Sequence, residues 1–262
     1  MKKILTALVT LVTLSTALNA DLLRVEAGVG SWSQTPSGFM EYKDGSDNSG
    51  RDTSNENRYD NIYAWAYVKH FIPFVPNLRV EYSSLESDGK GSGTLSGFEI
   101  PVGSNFPTTL TFDQLEVIPY YNLLDNTFWV TVDVGIAIKF VDYQATGRLE
   151  TDLGGLITVG DEVYNESGSF IAPLPYVRLR GQIPFTDIGL ESRIKYAALD
   201  GSSFTDLIVK VDYTLDFIPI IQPGIELGYK YVDIDAEVED GDTTSTIKLK
   251  FAGIFAGLML RF

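Results

Sequence analysis

Apolar and polar residues alternate with a period of two along most of this chain. The clearest example is the segment 128–140, in which Phe128 and every second residue up to Phe140 are apolar, while Asp133 and Lys139 belong to the other set. Successive side chains of a β-strand point to opposite faces of the sheet. A strand inside a parallel sheet would be apolar on both faces. The pattern therefore predicts antiparallel strands with one apolar face and one charged face.

Ten segments follow this pattern, and each is long enough to cross a bilayer as a tilted strand of about 9–11 residues. They lie at 21–33, 61–71, 77–87, 109–121, 127–141, 170–181, 187–198, 203–216, 222–234 and 245–262. We predict an all-β fold, a ten-stranded antiparallel up-and-down transmembrane β-barrel. Eight strands are the alternative count, because Pro173 and Pro175 interrupt the sixth segment and the second is apolar on both faces.

The connections between these segments alternate between short and long. Short connections that carry Pro, Asn or Asp follow the second, fourth, sixth and eighth segments. The other connections are mostly long and polar, at 34–60, 88–108, 142–169 and 235–244. Transmembrane barrels of bacteria have short periplasmic turns and longer outer loops. An even number of strands then places the start of the first strand and the end of the last on the periplasmic side.

The first twenty residues have the pattern of a secretory signal peptide. Lys2 and Lys3 precede an apolar run, and Ala20 offers a small residue ahead of a cut before Asp21. A retained N-terminal anchor is the alternative. After residue 20 the sequence contains no run of about 18 apolar residues, so it predicts no membrane-spanning helix. We expect a signal peptide at 1–20 and one β-barrel domain at 21–262.

The chain ends in an apolar stripe. Phe262, Leu260 and Leu258 belong to one face of the last predicted strand. A terminal aromatic residue on such a strand resembles the sorting signal of bacterial outer-membrane β-barrels, which their assembly machinery reads. An ordinary hydrophobic strand at the end of a protein is the alternative. Together with the signal peptide, the stripe predicts export to the bacterial outer membrane.

A formal net charge of −15, no cysteine and one histidine limit the possible functions. Without Lys2 and Lys3, 18 of the 20 basic residues remain against 35 acidic ones, a formal charge of −17. Such a chain is not expected to bind nucleic acid, because phosphate backbones require a basic surface. The absence of cysteine excludes a disulfide scaffold, a thiol nucleophile and a cysteine-ligated metal. We expect no cofactor.

Charged residues on the second face of the predicted strands should meet inside the barrel. One interpretation is a pore lining that sets ion selectivity. The other is a network that neutralises itself and fills the interior, because side chains fill an eight-stranded barrel and porin channels need about 16 strands. This predicted lumen charge network comprises Arg24, Glu26, Arg79, Glu81, Glu116, Asp133, Lys139, Arg178, Arg180, Glu191, Arg193, Lys195, Lys210, Asp212, Glu226 and Lys230.

Tyrosine and tryptophan residues are expected to mark the two membrane interfaces. Barrels carry aromatic girdles there, with the ring among the lipid headgroups and its polar edge hydrated. The candidates are Trp32, Tyr63, Trp65, Tyr67, Tyr82, Tyr121, Trp129, Tyr196, Tyr213, Tyr229 and Tyr231.

The predicted outer loops are acidic. Segment 142–169 contains six acidic residues and one base, Arg148, and segment 233–244 contains six acidic residues and no base. Beside anionic lipopolysaccharide, carboxylate oxygens are suited to bind bridging divalent cations. A solvated charged surface is the simpler interpretation, and we assign no metal ligands.

Four motifs resemble a known protein family. They are Lys69–Val80 with its Pro-x-x-Pro-Asn turn, Tyr120–Asn126, Leu227–Lys230 and Phe251–Leu258. The chain resembles a family of small, functionally uncharacterised outer-membrane β-barrel proteins of Gram-negative bacteria. The resemblance covers essentially the whole mature chain and implies a fold and a location, but it brings no catalytic residues.

These observations favour a structural or surface-interaction barrel without catalysis. A narrow passive channel for small solutes or ions is the alternative. A surface hydrolase is a remote alternative, because the only histidine, His70, is predicted beside a periplasmic turn, away from the outer surface. The expected partners are outer-membrane lipid, lipopolysaccharide and, during biogenesis, the outer-membrane assembly machinery. The sequence leaves the oligomeric state open.

Overall fold

A computed structural model describes residues 23–44, 48–93, 105–152, 157–199, 201–215, 221–240 and 243–262. The predicted signal peptide at 1–20 lies outside these residues. Within the described ranges, no helix is long and apolar enough to cross a membrane.

Eleven strands form one antiparallel sheet that closes on itself. They are β1 (Leu23–Asp44), β2 (Asn48–Ser54), β3 (Tyr59–His70), β4 (Asn77–Gly93), β5 (Asn105–Thr127), β6 (Val130–Asp152), β7 (Ile157–Gln182), β8 (Ile188–Leu199), β9 (Ser202–Thr214), β10 (Gln222–Asp240) and β11 (Thr243–Arg261). From β4 to β11 each strand pairs with the next in sequence, β2 and β3 both pair with β1 and β4, and β11 pairs with β1, with Val29 opposite Leu258. The closed sheet confirms the predicted antiparallel barrel.

The wall of the barrel has ten strand positions, which we call staves, because β2 and β3 together occupy one of them. β3 pairs with β1 from Leu23 to Gln34, and β2 pairs with β1 from Phe39 to Asp44. Residues 55–58 interrupt the stave between the two strands. The count of ten is therefore correct, and β2 is an additional strand that the sequence pattern did not predict.

Four segments predicted as long polar loops consist mainly of strand where the structure describes them. The structure extends β1 to Asp44 and β4 to Gly93, and the β6–β7 and β10–β11 pairs reach Asp152 opposite Ile157 and Asp240 opposite Thr243. The outward positions of these extensions are polar, as at Asp142, so the alternation of apolar residues on which the prediction relied fades there. We call this the loop end of the barrel. The opposite end, with the connections 71–76, 128–129 and 183–187, is the turn end.

Polarity reverses between the two ends. On β6 the outward residues from Val130 to Phe140 are apolar, and the next outward residue is Asp142. We call the part of the barrel from the turn end up to the level of Phe140 the lower section, and the part beyond it the upper section. The inward residue Lys139 belongs to the lower section, whereas inward Val141 and Ala145 belong to the upper one. The lower section thus has an apolar exterior and a charged interior, and the upper section has the opposite arrangement.

The two prolines that obscured the sixth predicted strand lie where β7 becomes an edge. In the described residues, β7 pairs with β8 only from Tyr176 to Gln182. Pro173 and Pro175 lie just above that point and pair with β6 alone. Proline lacks the backbone N–H that a second neighbour would need, so it is tolerated on an edge. The wall is therefore lower at β8 and β9 than at β6 and β7.

Candidate functional site: the barrel interior

Strand alternation turns the predicted charges inward. On β8, Glu191, Arg193 and Lys195 are buried, whereas Leu190 and Ile194 are half exposed on the outer face. Of the sixteen charged residues predicted for the interior, fifteen are at most 8% exposed. Arg24 differs, because it lies at the turn end with 46% of its side chain exposed and reaches the others only through Glu26, 2.6 Å away.

The network begins at the turn end around Asp212 of β9. Its two carboxylate oxygens accept bidentate hydrogen bonds from Arg180, at 2.6 and 2.8 Å. Arg261 of β11 also donates to Asp212, at 2.7 Å, and lies 3.3 Å from Glu26. Charge-assisted bidentate pairs combine strength with a defined geometry. This cluster ties β7, β9, β11 and β1 together.

In the middle of the barrel the ion pairs cross the lumen. Lys195 of β8 donates to Glu81 of β4 at 2.8 Å and to Glu116 of β5 at 2.5 Å. Arg193 also contacts Glu81. Because β8 neighbours neither β4 nor β5 in the sheet, these side chains span the interior from one wall to the other.

A second crossing links β3 to β10. The carboxylate of Glu226 accepts hydrogen bonds from the Tyr63 hydroxyl at 2.6 Å and the Trp65 indole at 2.9 Å. Its other oxygen accepts one from Lys210 at 2.6 Å. Both oxygens of this carboxylate are therefore hydrogen-bonded to protein groups, in an interior where an unpaired charge would be costly.

The upper layer of charge is organised by Asp206. Three ammonium groups surround it, those of Lys139 at 3.4 Å, Lys195 at 3.5 Å and Lys230 at 3.9 Å. Lys139 also lies 2.9 Å from Glu116. In the described residues, nine buried cations face eight buried anions. The interior is therefore close to neutral. The net negative charge of the chain comes from residues outside this buried set.

Four residues predicted for the aromatic girdles point inward instead. Trp32, Trp65 and Tyr67 are at most 6% exposed, and Tyr63 packs against the buried aromatic Phe255 with ring centroids 5.0 Å apart. The rings separate the charges and contact them through cation–π interactions. The Lys210 ammonium, for example, lies 4.5 Å from the centroid of the Trp65 ring.

An apolar cluster lies in the interior above the charges, towards the loop end. It includes Phe112 and Phe251, whose rings meet edge to face with centroids 6.3 Å apart, and Leu85 and Leu249. These four side chains are 0–6% exposed. We call this cluster the apolar cap. Sequence analysis missed it although these residues lie in predicted strands, because the strands are far apart in sequence and their inward side chains meet only when the barrel closes.

Sequence analysis also missed two charged members of the network, Asp206 and Arg261. Both are buried. Asp206 shares its strand face with Lys210 and Asp212, and Arg261 lies on the face opposite the terminal stripe. The alternation that identified their neighbours contains the signal for both residues.

A small cavity of about 20 Å³ lies in the interior among Trp32, Trp65, Ser83, Arg193 and Lys230. A single water molecule needs at least about 10–15 Å³ of such space. This cavity therefore has room for about one water molecule.

The sole histidine stabilises a turn. The backbone N–H of Ile72 donates to Nδ1 of His70 at 3.2 Å, and Nε2 lies 3.1 Å from the carbonyl oxygen of Pro76. Both ring nitrogens are therefore engaged in the 71–76 connection at the turn end. Among the described residues, no group of three or more His, Cys, Asp or Glu side chains is arranged to hold a metal ion.

The predicted assembly signal lies on the outer surface at the seam of the barrel. Leu258 and Leu260 are 66% and 42% exposed and point outward. The backbone N–H of Phe262 donates to the carbonyl oxygen of Val25 at 2.9 Å, and the N–H of Val25 donates back to Phe262. The terminal residue thus takes part in closing β11 onto β1.

Comparison with solved structures identifies the fold. The outer membrane protease OmpT of Escherichia coli is similar with a TM-score of 0.53 at 11% identity, over 91% of this chain and 97% of that one. The attachment invasion locus protein Ail of Yersinia pestis gives a TM-score of 0.31 at 9% identity, over 91% of this chain and 98% of its own. Neisserial surface protein A gives 0.29 at 12% identity, with 92% and 97% covered.

No protein-family model and no curated protein matches the chain. At 11% identity the similarity to OmpT concerns the fold alone. With the closed ten-stave sheet, its apolar outer band and its charged interior, the chain has the fold of the small outer-membrane β-barrel proteins.

Proposed function

We propose that this protein is a closed outer-membrane barrel with a structural or surface-interaction role and no catalysis. The observation that carries the proposal is the interior itself. Ion pairs such as Lys195 with Glu81 and Glu116 cross it from wall to wall. The apolar cap lies in series with them. An ion entering this interior would have to displace paired charges and then pass a largely apolar layer.

The outer-membrane location is supported by the fold and by the outer surface. From Val130 to Phe140 the outward side chains of β6 are apolar, as lipid contact requires. We place the turn end in the periplasm and the loop end outside, because short turns are periplasmic in such barrels. The polar outer wall of the loop end, with Asp113 and Asp142, then faces lipopolysaccharide headgroups and the cell exterior.

The proposal that the barrel is not an enzyme is supported by the position of His70. Hydrolases of this kind require a base on the outer side, near a carboxylate or a nucleophile. His70 lies in a periplasmic turn with both ring nitrogens engaged. The signal peptide at 1–20 and the role of Phe262 in assembly belong to the same proposal and rest on the sequence pattern.

Single-channel recording of the purified protein in planar bilayers tests the closed interior. We expect no steady conductance, because the cross-lumen pairs and the apolar cap block the path. Lys210→Met, in the network, and Lys250→Met, on the outer wall, form a matched pair of variants. Steady openings whose ion preference changes with Lys210→Met but not with Lys250→Met would contradict the proposal and establish the narrow channel.

A further inference from the structure

The turn end of the barrel exposes large aromatic side chains at the tips of its turns. Phe74 is 94% exposed, Phe128 84% and Phe185 103%. Each occupies one of the connections 71–76, 128–129 and 183–187. The fourth connection on this side, 216–220, lies outside the described residues. Single exposed apolar residues are common on soluble surfaces, but one on each of three turns at the same end forms an apolar surface.

The backbone at these tips is unfavourable for the residues that occupy it. Phe74, Phe128 and Phe185 have φ angles of 66°, 52° and 63°, and Trp129 has 65°. This left-handed region suits glycine or asparagine, and it is strained for a bulky side chain. Burial within the protein does not offset the strain, because the rings point into open space. An apolar environment outside the protein would give the arrangement a physical reason.

The outer apolar band runs directly into these turns. On β6 it begins at Val130, the first residue after the turn, and ends at Phe140. Ten residue steps of about 3.3 Å, at a strand tilt of about 40°, cover about 25 Å along the barrel axis, which matches the apolar band of transmembrane barrels. A membrane centred on this band places Phe128 and Trp129 at its periplasmic boundary.

The two edges of the band differ in charge. At the loop end the band stops at outward carboxylates, those of Asp113, Asp142 and Asp233. At the turn end the three described connections contain one charged residue, Asp187, and Lys69 beside them is paired with Asp125. The turn end therefore brings little charge into the headgroup region, whereas the loop end would bring several carboxylates.

We propose that the three described turns insert their aromatic tips into the periplasmic leaflet and fix the depth of the barrel in the membrane. The occupant of this surface is phospholipid, because the surface continues the lipid-facing band and is nearly uncharged. The proposal rests on the membrane barrel proposed above, but not on whether its interior is closed.

Trp129 provides a direct readout, because the other two tryptophans, Trp32 and Trp65, are buried in the interior. The difference in fluorescence between the wild-type protein and Trp129→Phe, both in phospholipid vesicles, isolates its emission. We expect lipids brominated high in the acyl chain to quench this emission more than lipids brominated near the bilayer centre. We also expect aqueous acrylamide to quench it less in vesicles than in the urea-unfolded protein.

Two outcomes would overturn the proposal. If brominated lipid does not quench the Trp129 emission, and acrylamide quenches it as strongly as in the urea-unfolded protein, the tips lie in water. Protection from acrylamide that depends on protein concentration, again without quenching by lipid, would make a second copy the occupant. In both cases a protein that still shows heat-modifiable migration on gels remains a folded membrane barrel, so the earlier proposal is judged separately.

A pair of substitutions separates backbone strain from lipid contact. Phe185→Asn relieves the backbone strain of the positive φ, because asparagine tolerates that region, and it also removes the apolar tip. Glu56→Asn is the matched control, because Glu56 has a φ of 56° on an exposed loop at the other end and carries no apolar side chain. We expect Phe185→Asn to lower the urea midpoint in vesicles and Glu56→Asn to leave it unchanged or raise it. Equal behaviour of the two variants would refute the anchoring role.

Discussion

The replacement Lys195→Met tests whether the interior is dry. Lys195 is fully buried and lies between three carboxylates, those of Glu81 at 2.8 Å, Glu116 at 2.5 Å and Asp206 at 3.5 Å. Methionine keeps most of the length and the apolar stem of lysine but removes the ammonium group. The change leaves three carboxylates that share the remaining cations around them.

The expected cost follows from the environment of the pair. Breaking a buried ion pair by removing one partner destabilises a protein by about 3–5 kcal/mol, because a charge is left uncompensated. The matched control is Lys248→Met on the outer wall, where Lys248 lies 3.5 Å from Asp235 and both side chains are more than 40% exposed. Exposed pairs contribute about 0–1 kcal/mol.

Urea unfolding in phospholipid vesicles, followed by the loss of the fast-migrating folded band on gels, gives the free energy of unfolding of both variants. We expect a loss of several kcal/mol for Lys195→Met, insensitive to 1 M salt, and a loss below about 1 kcal/mol for Lys248→Met. Adding Glu116→Gln to Lys195→Met should restore part of the stability, since it removes one of the unpaired charges. Equal small losses for both lysines, screened by salt, would show a hydrated lumen and refute the reasoning.

Further expectations concern the outer surface and the loop end. Ile136→Lys, near the middle of the outward apolar band of β6, should cost about 2–4 kcal/mol, and Leu260→Lys near the turn end should cost less. A cost independent of depth would contradict lipid contact. Normal outer-membrane levels of Phe262→Ala would contradict the assembly signal. Burial raises the pKa of the Asp52 carboxyl, so the folded β2 region should lose stability as the pH rises above the ordinary value of about 3.9. Hydrogen exchange of β2 between pH 4 and 7 should show this fall in the wild-type protein and not in Asp52→Asn.

The lower barrel could be predicted from the sequence because alternation is a property of each strand alone. On β8 the period of two separates Glu191, Arg193 and Lys195 from Leu190 and Ile194 without knowledge of any partner. The prediction failed on β3, where both faces are apolar. There the sequence cannot distinguish a Trp65 in a membrane girdle from a Trp65 in the interior, because the distinction depends on Glu226, 161 residues away.

The upper barrel could not be predicted because its outward positions are polar. A wall that faces water needs no apolar exterior, so outward positions such as Asp142 have the composition of a loop, and the segment 142–169 was predicted as one. The inward residues there, among them Leu110, Val141 and Leu249, are well separated in sequence and form one cluster only when the barrel closes. Register between distant strands, which single-strand patterns do not contain, determines that cluster.

The reversal of polarity along the barrel axis explains why the interior contains two different fillings. In the lower section lipid supplies the apolar surroundings, so the interior can hold charges, provided that they pair, as Asp212 does with Arg180 and Arg261. In the upper section the exterior faces water. There the wall is stabilised by an apolar core inside the barrel, where side chains are removed from water. Phe112 and Phe251 belong to that core. Each filling stabilises its own section. In the closed barrel that we propose, the residues that stabilise the wall are therefore also the ones that block the interior.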